Sequence, residues 1–282
     1  MPTPAARGLT AAELALAIED LRVLCSATVL DAVALIGTGA HNDVLLVLQP
    51  DADKQKVFVH IALGGTRARV TTTQRRFGRE ARARGPGPDL LQRELQDATL
   101  RSIEVTDGER RCTFGFDTAA GERRLAVELF SARGLWVLCD AQGVAMTMSR
   151  AVTTAVRTLR RGDVYVPPPP VADAAKPGAT ATTRFAPPVL TSIDEHFTSL
   201  DLDKEQQKSH EALHLATARA HKQARNKVQG MHRQLDNVER SQEMRNTADL
   251  MLAYAHSVPR GASSMEVPSL DGAANITIQL DA

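Results

Sequence analysis

The spacing of apolar positions along this chain is helical, then alternating, twice in succession, and then helical again over a very long stretch. Thr10 followed by Glu13 forms a capping box, and Leu14, Leu16, Ile18, Leu21 and Leu24 then recur at helical spacing, predicting a short amphipathic helix. Alternating runs follow at Ala32 to Ile36, Val44 to Leu48, Val57 to Ile61 and Arg67 to Thr71, with Gly, Asn and Asp between them as hairpin turns. A second helix is expected at Asp89 to Gln96. A second strand series comes after it: Ile103 to Val105, Arg111 to Phe116, Arg123 to Phe130, Leu135 to Cys139 and Val144 to Met148. Two helix-then-sheet halves of this kind predict an α+β domain built from antiparallel sheets.

The domain is expected to close at LRRGDVYVPPPP, near residue 170, and the Ala, Thr and Pro composition of Val171 to Pro188 reads as a linker. From Ser192 to about Ser257 there is no proline and one glycine, Gly230, so the pattern is one long helix. Leu213, Ala220, Ala224, Val228, Met231, Leu235 and Val238 form a narrow stripe on it, the seam of a coiled coil. Arg219, Lys222, Arg225, Lys227 and Arg233 fall in an acid-free run between Glu211 and Asp236, which reads either as a solvated face or as a basic contact surface.

Composition narrows the function classes. The 282 residues carry 34 Lys plus Arg against 33 Asp plus Glu, so any attraction to nucleic acid must be local. The densest local source is TQRRFGREARARGPGP, where Arg75, Arg76, Arg79, Arg82 and Arg84 surround Phe77 in a Gly and Pro flanked loop. Guanidinium groups there suit phosphate contact and the ring suits stacking on a base. Three cysteines, Cys25, Cys112 and Cys139, lie far apart in apolar settings and predict a reduced, cytoplasmic protein. No leader peptide pattern and no run of about 18 apolar residues is present.

His210, Glu211 and His214 match H-E-x-x-H, the zinc peptidase signature. Thr217 and Ala220 stand where the nearest patterned form needs glycine and a third histidine, so no metal site is expected. No phosphate-binding glycine loop, nucleophile elbow or C-x-x-C occurs, and neither a catalytic residue nor a cofactor is expected.

The order of segments resembles the NFACT family, the RqcH-like ribosome quality-control factors also known as fibronectin-binding protein A-like proteins. The resemblance lies in GLTAAELALAIEDLR, PDLLQRELQDATLRSIE, GERRCTFGF, LAVELFSARGLWVLCDAQG and LRRGDVYVPPPP. It continues in an arm from SIDEHFTSLD to NTADLMLAYAHSVPRGASSMEVPSLDGAANITIQLDA, whose end at Val258 to Gly261, Met265 to Val267 and Ile276 to Leu280 is the most specific part. The resemblance implies a glycosylase-like N-terminal domain over 1–170, the linker 171–188, a coiled-coil arm over 189–258 and the start of a small β middle domain over 259–282.

It also implies binding to the large ribosomal subunit and to tRNA, in support of template-free tailing of stalled chains. The family's Asp-Arg pair falls on Glu109 and Arg110. Its E-x-x-G-R-H-x-N pattern falls on Glu128 to Leu135, where the Glu and the small residue Gly134 are kept and Arg133 stands beside them. The arm basics would dock on the large subunit and the arginine loop would touch RNA. No second arm and no C-terminal RNA-binding domain are seen, so the uncovered seam is expected to mean self-association, a second coiled-coil chain or a truncated reading frame. The alternatives are a coiled-coil interaction protein that has lost tailing and, from the older family name, a fibronectin-binding surface protein. Neither DNA nor a membrane is an expected partner.

Overall fold

The computed structural model describes residues 7–25, 28–37, 42–50, 55–130, 132–169, 183–269, 272 and 274–280. Most of the expected linker, the turns after residues 37 and 50, and Ser131 lie outside these described residues. The chain divides into two compact units, Met1–Asp203 and Lys204–Ala282.

In the first unit the capping box forms as the sequence requires. Thr10 N donates to Glu13 Oε2 at 2.8 Å, Glu13 N donates to Thr10 Oγ1 at 3.2 Å, and α1 runs Ala11–Cys25. Its buried face is Leu14, Ala17, Ile18, Leu21 and Cys25; Leu24, expected on that face, is 49% exposed because Cys25, four residues after Leu21, takes the core-facing position of the last turn. Four strands follow, β1 (Val29–Gly37), β2 (Asn42–Gln49), β3 (Val57–Ala62) and β4 (Arg69–Thr72), then α2 (Pro86–Leu95). Five more complete the series: β5 (Thr99–Val105), β6 (Arg111–Thr118), β7 (Gly121–Glu128), β8 (Leu135–Cys139) and β9 (Ala145–Met148).

The two expected sheets are one. Their nine strands run β4-β3-β2-β1-β5-β6-β7-β8-β9, all antiparallel. The halves join at a single register pair, Val29 with Thr99, supported by Leu30 N to Ala98 O and Leu100 N to Thr28 O. Just beyond this seam both strands bulge, between Leu30 and Ala32 and between Leu100 and Ser102. Bulges sharpen twist and end pairing. The sheet therefore turns at the seam, and alternate residues of both halves enter one core: Val33, Leu46 and Ile61 from the first, Phe114, Val127 and Trp136 from the second. α1 packs on β4 and β5 and α2 on β1, β6 and β9, so each helix touches both halves.

Short pairs β10 (Val152–Thr153) and β11 (Thr158–Leu159) lead out of the sheet. The long helix α3 then runs Val189–Tyr254, 66 residues; its opening turns, carrying Ile193 and Phe197, belong to the core of the first unit. In the second unit a hairpin of β12 (Ser264–Pro268) and β13 (Asn275–Gln279) lays Met265, Val267 and Ile278 against Leu250 and Tyr254 of α3. Among the described residues no helix is long and apolar enough to cross a membrane.

All three cysteines are free and buried. Burial raises their thiols to about 11 for Cys25 and Cys139 and about 12 for Cys112, so they are neutral packing groups.

Candidate nucleic-acid interface

Four segments of the first unit meet around Arg110. Leu129 N bonds to Arg110 O at 2.8 Å, Arg110 Nη1 reaches Leu9 O at 3.5 Å, Leu9 N bonds to Ala68 O at 2.8 Å, and Gly65 N bonds to Ala132 O at 3.1 Å. Glycine makes this approach possible. Gly134 has φ +56°, and a Cβ there would stand 2.8 Å from Leu63 O and 3.0 Å from Glu128 O. At Gly8 a Cβ would stand 2.8 Å from Ala68 O. Arg110 and the Arg133–Gly134 turn, far apart in sequence, are thus tied to one cluster of backbone segments, with Arg133 exposed.

The other motif residues go elsewhere. The Glu109 carboxylate pairs with Arg111 at 3.1 Å, not with Arg110, because the adjacent residues send their side chains in different directions. Partial burial lowers the Arg110 pKa from its usual value. Glu128 is buried at 2% exposure and accepts a fork from Arg157 Nη1 and Nη2, at 2.8 and 2.6 Å, plus the Tyr165 hydroxyl at 2.9 Å. Burial first, and then Glu128, raise the Tyr165 pKa, so the hydroxyl stays a donor. Glu128 therefore fastens the exit segment to β7, and its carboxylate is not presented to a ligand.

The arginine loop also separates into two kinds of residue. Arg75 stacks over Phe77 at 5.1 Å and lies 3.8 Å from Asp201, while Arg76 lies 4.3 Å over Phe58. Phe77, expected to stack on bases, is instead edge-on to His60 at 5.3 Å. Arg79, Arg82 and Arg84 are exposed and line a groove of about 540 Å³.

Beneath the loop lies a polar cluster that sequence reasoning did not anticipate. Asp201, in α3, accepts from Arg67 Nε and, at 2.7 Å, from Arg69 Nη2. Arg69 Nη2 also faces His60 Nδ1 at 3.3 Å, and His60 Nε2 lies 3.1 Å from Asp43 Oδ2. A guanidinium only donates, so Nδ1 accepts and the histidine proton sits on Nε2, donated to Asp43. Burial holds the His60 pKa below the ordinary 6.5. Burial alone would raise the Asp201 carboxyl, but Arg69 and Arg67 outweigh it and hold it below 3.8. The signal available in sequence was Asp43 and His60 as charged or polar positions inside apolar strands; Asp201, 132 residues from Arg69, carried none.

On α3, Arg219, Lys222, Arg225, Lys227 and Arg233 are all exposed, as are His210, Glu211 and His214. No group of three metal-ligating side chains occurs among the described residues. The stripe residues Leu213, Val228, Met231, Leu235 and Val238 are 46–67% exposed.

Comparison with known proteins places the fold. The family of NFACT N-terminal and middle domains matches over residues 36–189 and 179–282. Among solved structures, the N-terminal part of the fibronectin/fibrinogen-binding protein from Streptococcus suis is similar at TM-score 0.51 and 18% identity, over 58% of this chain and 62% of that one. The N-terminal domain of the fibronectin-binding protein PavA from Streptococcus pneumoniae is similar at TM-score 0.51 and 18% identity, over 58% and 66%. At these identities the likeness shows the fold, and this chain spans under two thirds of either structure. No curated protein matches the sequence.

Proposed function

Because the chain belongs to the NFACT family, its N-terminal and middle domains matching across most of the sequence, we propose that it is a cytoplasmic, non-enzymatic factor that binds the large ribosomal subunit and tRNA. The observation that carries this reading is the meeting of Arg110, the Arg133–Gly134 turn and the Gly8–Leu9 segment in one place. Arg110 and the Arg133–Gly134 turn carry part of the family's functional motifs, and the backbone packing at Gly8 and Gly134 holds Arg110 and the exposed Arg133 as a cationic surface that suits an RNA backbone. The exposed arm basics supply salt-sensitive contact to ribosomal RNA. Arg79, Arg82 and Arg84 add a second cationic surface.

The test is cosedimentation of the chain with isolated large and small subunits across a salt series. A variant with Arg219, Lys222, Arg225, Lys227 and Arg233 changed to glutamine runs beside it. Selective, salt-sensitive binding to the large subunit that the variant loses supports the reading; equal binding to both subunits, or none, contradicts it. The exposed stripe on α3 favours a second reading, an interaction protein that pairs this helix with another coiled-coil chain. Sedimentation equilibrium that finds a monomer at all concentrations, together with subunit binding, rejects it in favour of the first.

A further inference from the structure

The groove lined by Arg79, Arg82 and Arg84 has a floor and a wall as well as a rim. Its floor is the outward face of β1 and β2, Ala32, Ala34, Leu45 and Val47, whose sequence neighbours Val33, Leu35, Leu46 and Leu48 point into the core. The rim runs along the edge of β1 left free where the sheet splits: Ala83 N bonds to Leu35 O at 2.8 Å and Arg82 bridges Ile36. Held extended there, Arg82 and Arg84 stand two residues apart. None of the three arginines has an ion-pair partner among the described residues. The wall is α2, which contributes Asp89 and Gln92, three residues apart on one helix face and both exposed.

We infer that this groove holds one unpaired guanine nucleotide of an RNA strand, which rests on the RNA-binding reading above and goes beyond it by naming the unit bound. A flat aliphatic floor buries one face of a base, and about 540 Å³ is ample room for a single nucleotide. Guanidinium groups with no internal partner are available to the flanking phosphates. The wall selects the base. Guanine offers adjacent N1–H and N2–H donors on its Watson–Crick edge, which the Asp89 carboxylate accepts as a pair, and Gln92 donates to O6. Adenine presents a lone pair at N1 to the same carboxylate. A base already paired in a duplex has that edge occupied and cannot lie on the floor. An acidic peptide would satisfy the arginines equally, but its carboxylate side chains offer Asp89 no N–H donors to match those of guanine.

The experiment is fluorescence anisotropy of the full chain with labelled RNA pentamers UUGUU and UUAUU and with a duplex in which the same G is paired. Asp89→Ala and the triple variant Arg79→Gln, Arg82→Gln, Arg84→Gln are measured alongside, each checked for an unchanged thermal melt. The expected result is about tenfold tighter binding of UUGUU than UUAUU. Asp89→Ala abolishes that preference without weakening UUAUU, and the triple variant weakens both. Equal binding of the pentamers, a preference that survives Asp89→Ala, or duplex binding as tight as the single strand overturns the inference. In those cases, or if no RNA binds, persistent large-subunit binding leaves the function standing, and its absence removes both. RNA affinity retained in the triple variant, with binding of a Glu/Leu peptide lost, assigns the groove to an acidic partner and overturns the inference as well.

Discussion

The outward faces of the two half-sheets carry similar numbers of charges and differ in where those charges go. On the second half, Arg101, Glu104, Glu122 and Arg124 ring a floor of Ser102, Thr113, Gly115 and Ala126, in a groove of about 680 Å³. Its cations are already answered: Arg124 pairs with Glu122 at 2.8 Å and Arg101 lies 3.7 Å from Asp117. On the first half the smaller groove has the unanswered cations. The larger cavity is therefore the poorer anion site, because Glu104 and Glu122 line it beside Arg101 and Arg124 and cancel their charge, whereas Arg79, Arg82 and Arg84 face Asp89 as the one acid lining their groove. Further still from the unanswered cations is the buried cluster at the root of α3, where Arg67 and Arg69 both pair with Asp201. Arginine content alone does not distinguish these three settings; only the partners do.

The largest effect expected from breaking this pattern is at the buried cluster. Asp201→Ala leaves Arg69 without a counter-charge, and a denaturant melt should show a loss of about 3–5 kcal/mol. The cluster also sets an acid limit. His60 is held neutral with its pKa below 6.5, among Asp43, Arg67, Arg69, Arg75, Asp201 and Phe77. A depressed folded pKa favours the folded state above the unfolded value and penalises it as pH falls below. Stability should thus be full above pH 6.5 and decline below it by up to about 1.4 kcal/mol per pH unit. Melts of His60→Gln between pH 7 and 5 should lack that part of the slope. Asp201 acts in the same direction at lower pH, below 3.8.

Much of the fold was legible because local pattern and tertiary role agree: the capping box of Thr10 and Glu13, the alternation of β2 and β6, and the proline-free run that became α3. What was not legible depends on contacts between distant segments. The union of two sheets into one rests on a single register pair, and the bulges beside it leave no compositional mark. Phe77 looked free in the sequence and is taken up by His60 and Arg75, because the ring folds back onto β3. Glu109 and Arg110 looked like a pair, yet strand β6 begins just after them and delivers Arg111 to the carboxylate. Arg79, Arg82 and Arg84 were visible as candidates, but nothing in their spacing separated them from Arg75 and Arg76.

A smaller effect is expected on the second half-sheet. Glu122→Gln and Arg124→Gln, singly, should each change stability by no more than about 1 kcal/mol in the same melts, since an exposed pair contributes little. The triple change of Arg79, Arg82 and Arg84 to glutamine should leave stability within about 0.5 kcal/mol, because no internal partner is lost.

The most direct test of the comparison is the salt dependence of single-stranded RNA binding. Log affinity against log salt is measured for the native chain, for the triple arginine variant, and for Arg101→Gln, Arg124→Gln. Neutralising three phosphates with three free guanidinium groups predicts a slope shallower by about 2 in the triple variant and an unchanged slope in the double variant. Equal loss of slope in both variants would contradict the claim that unpaired arginines carry the contact.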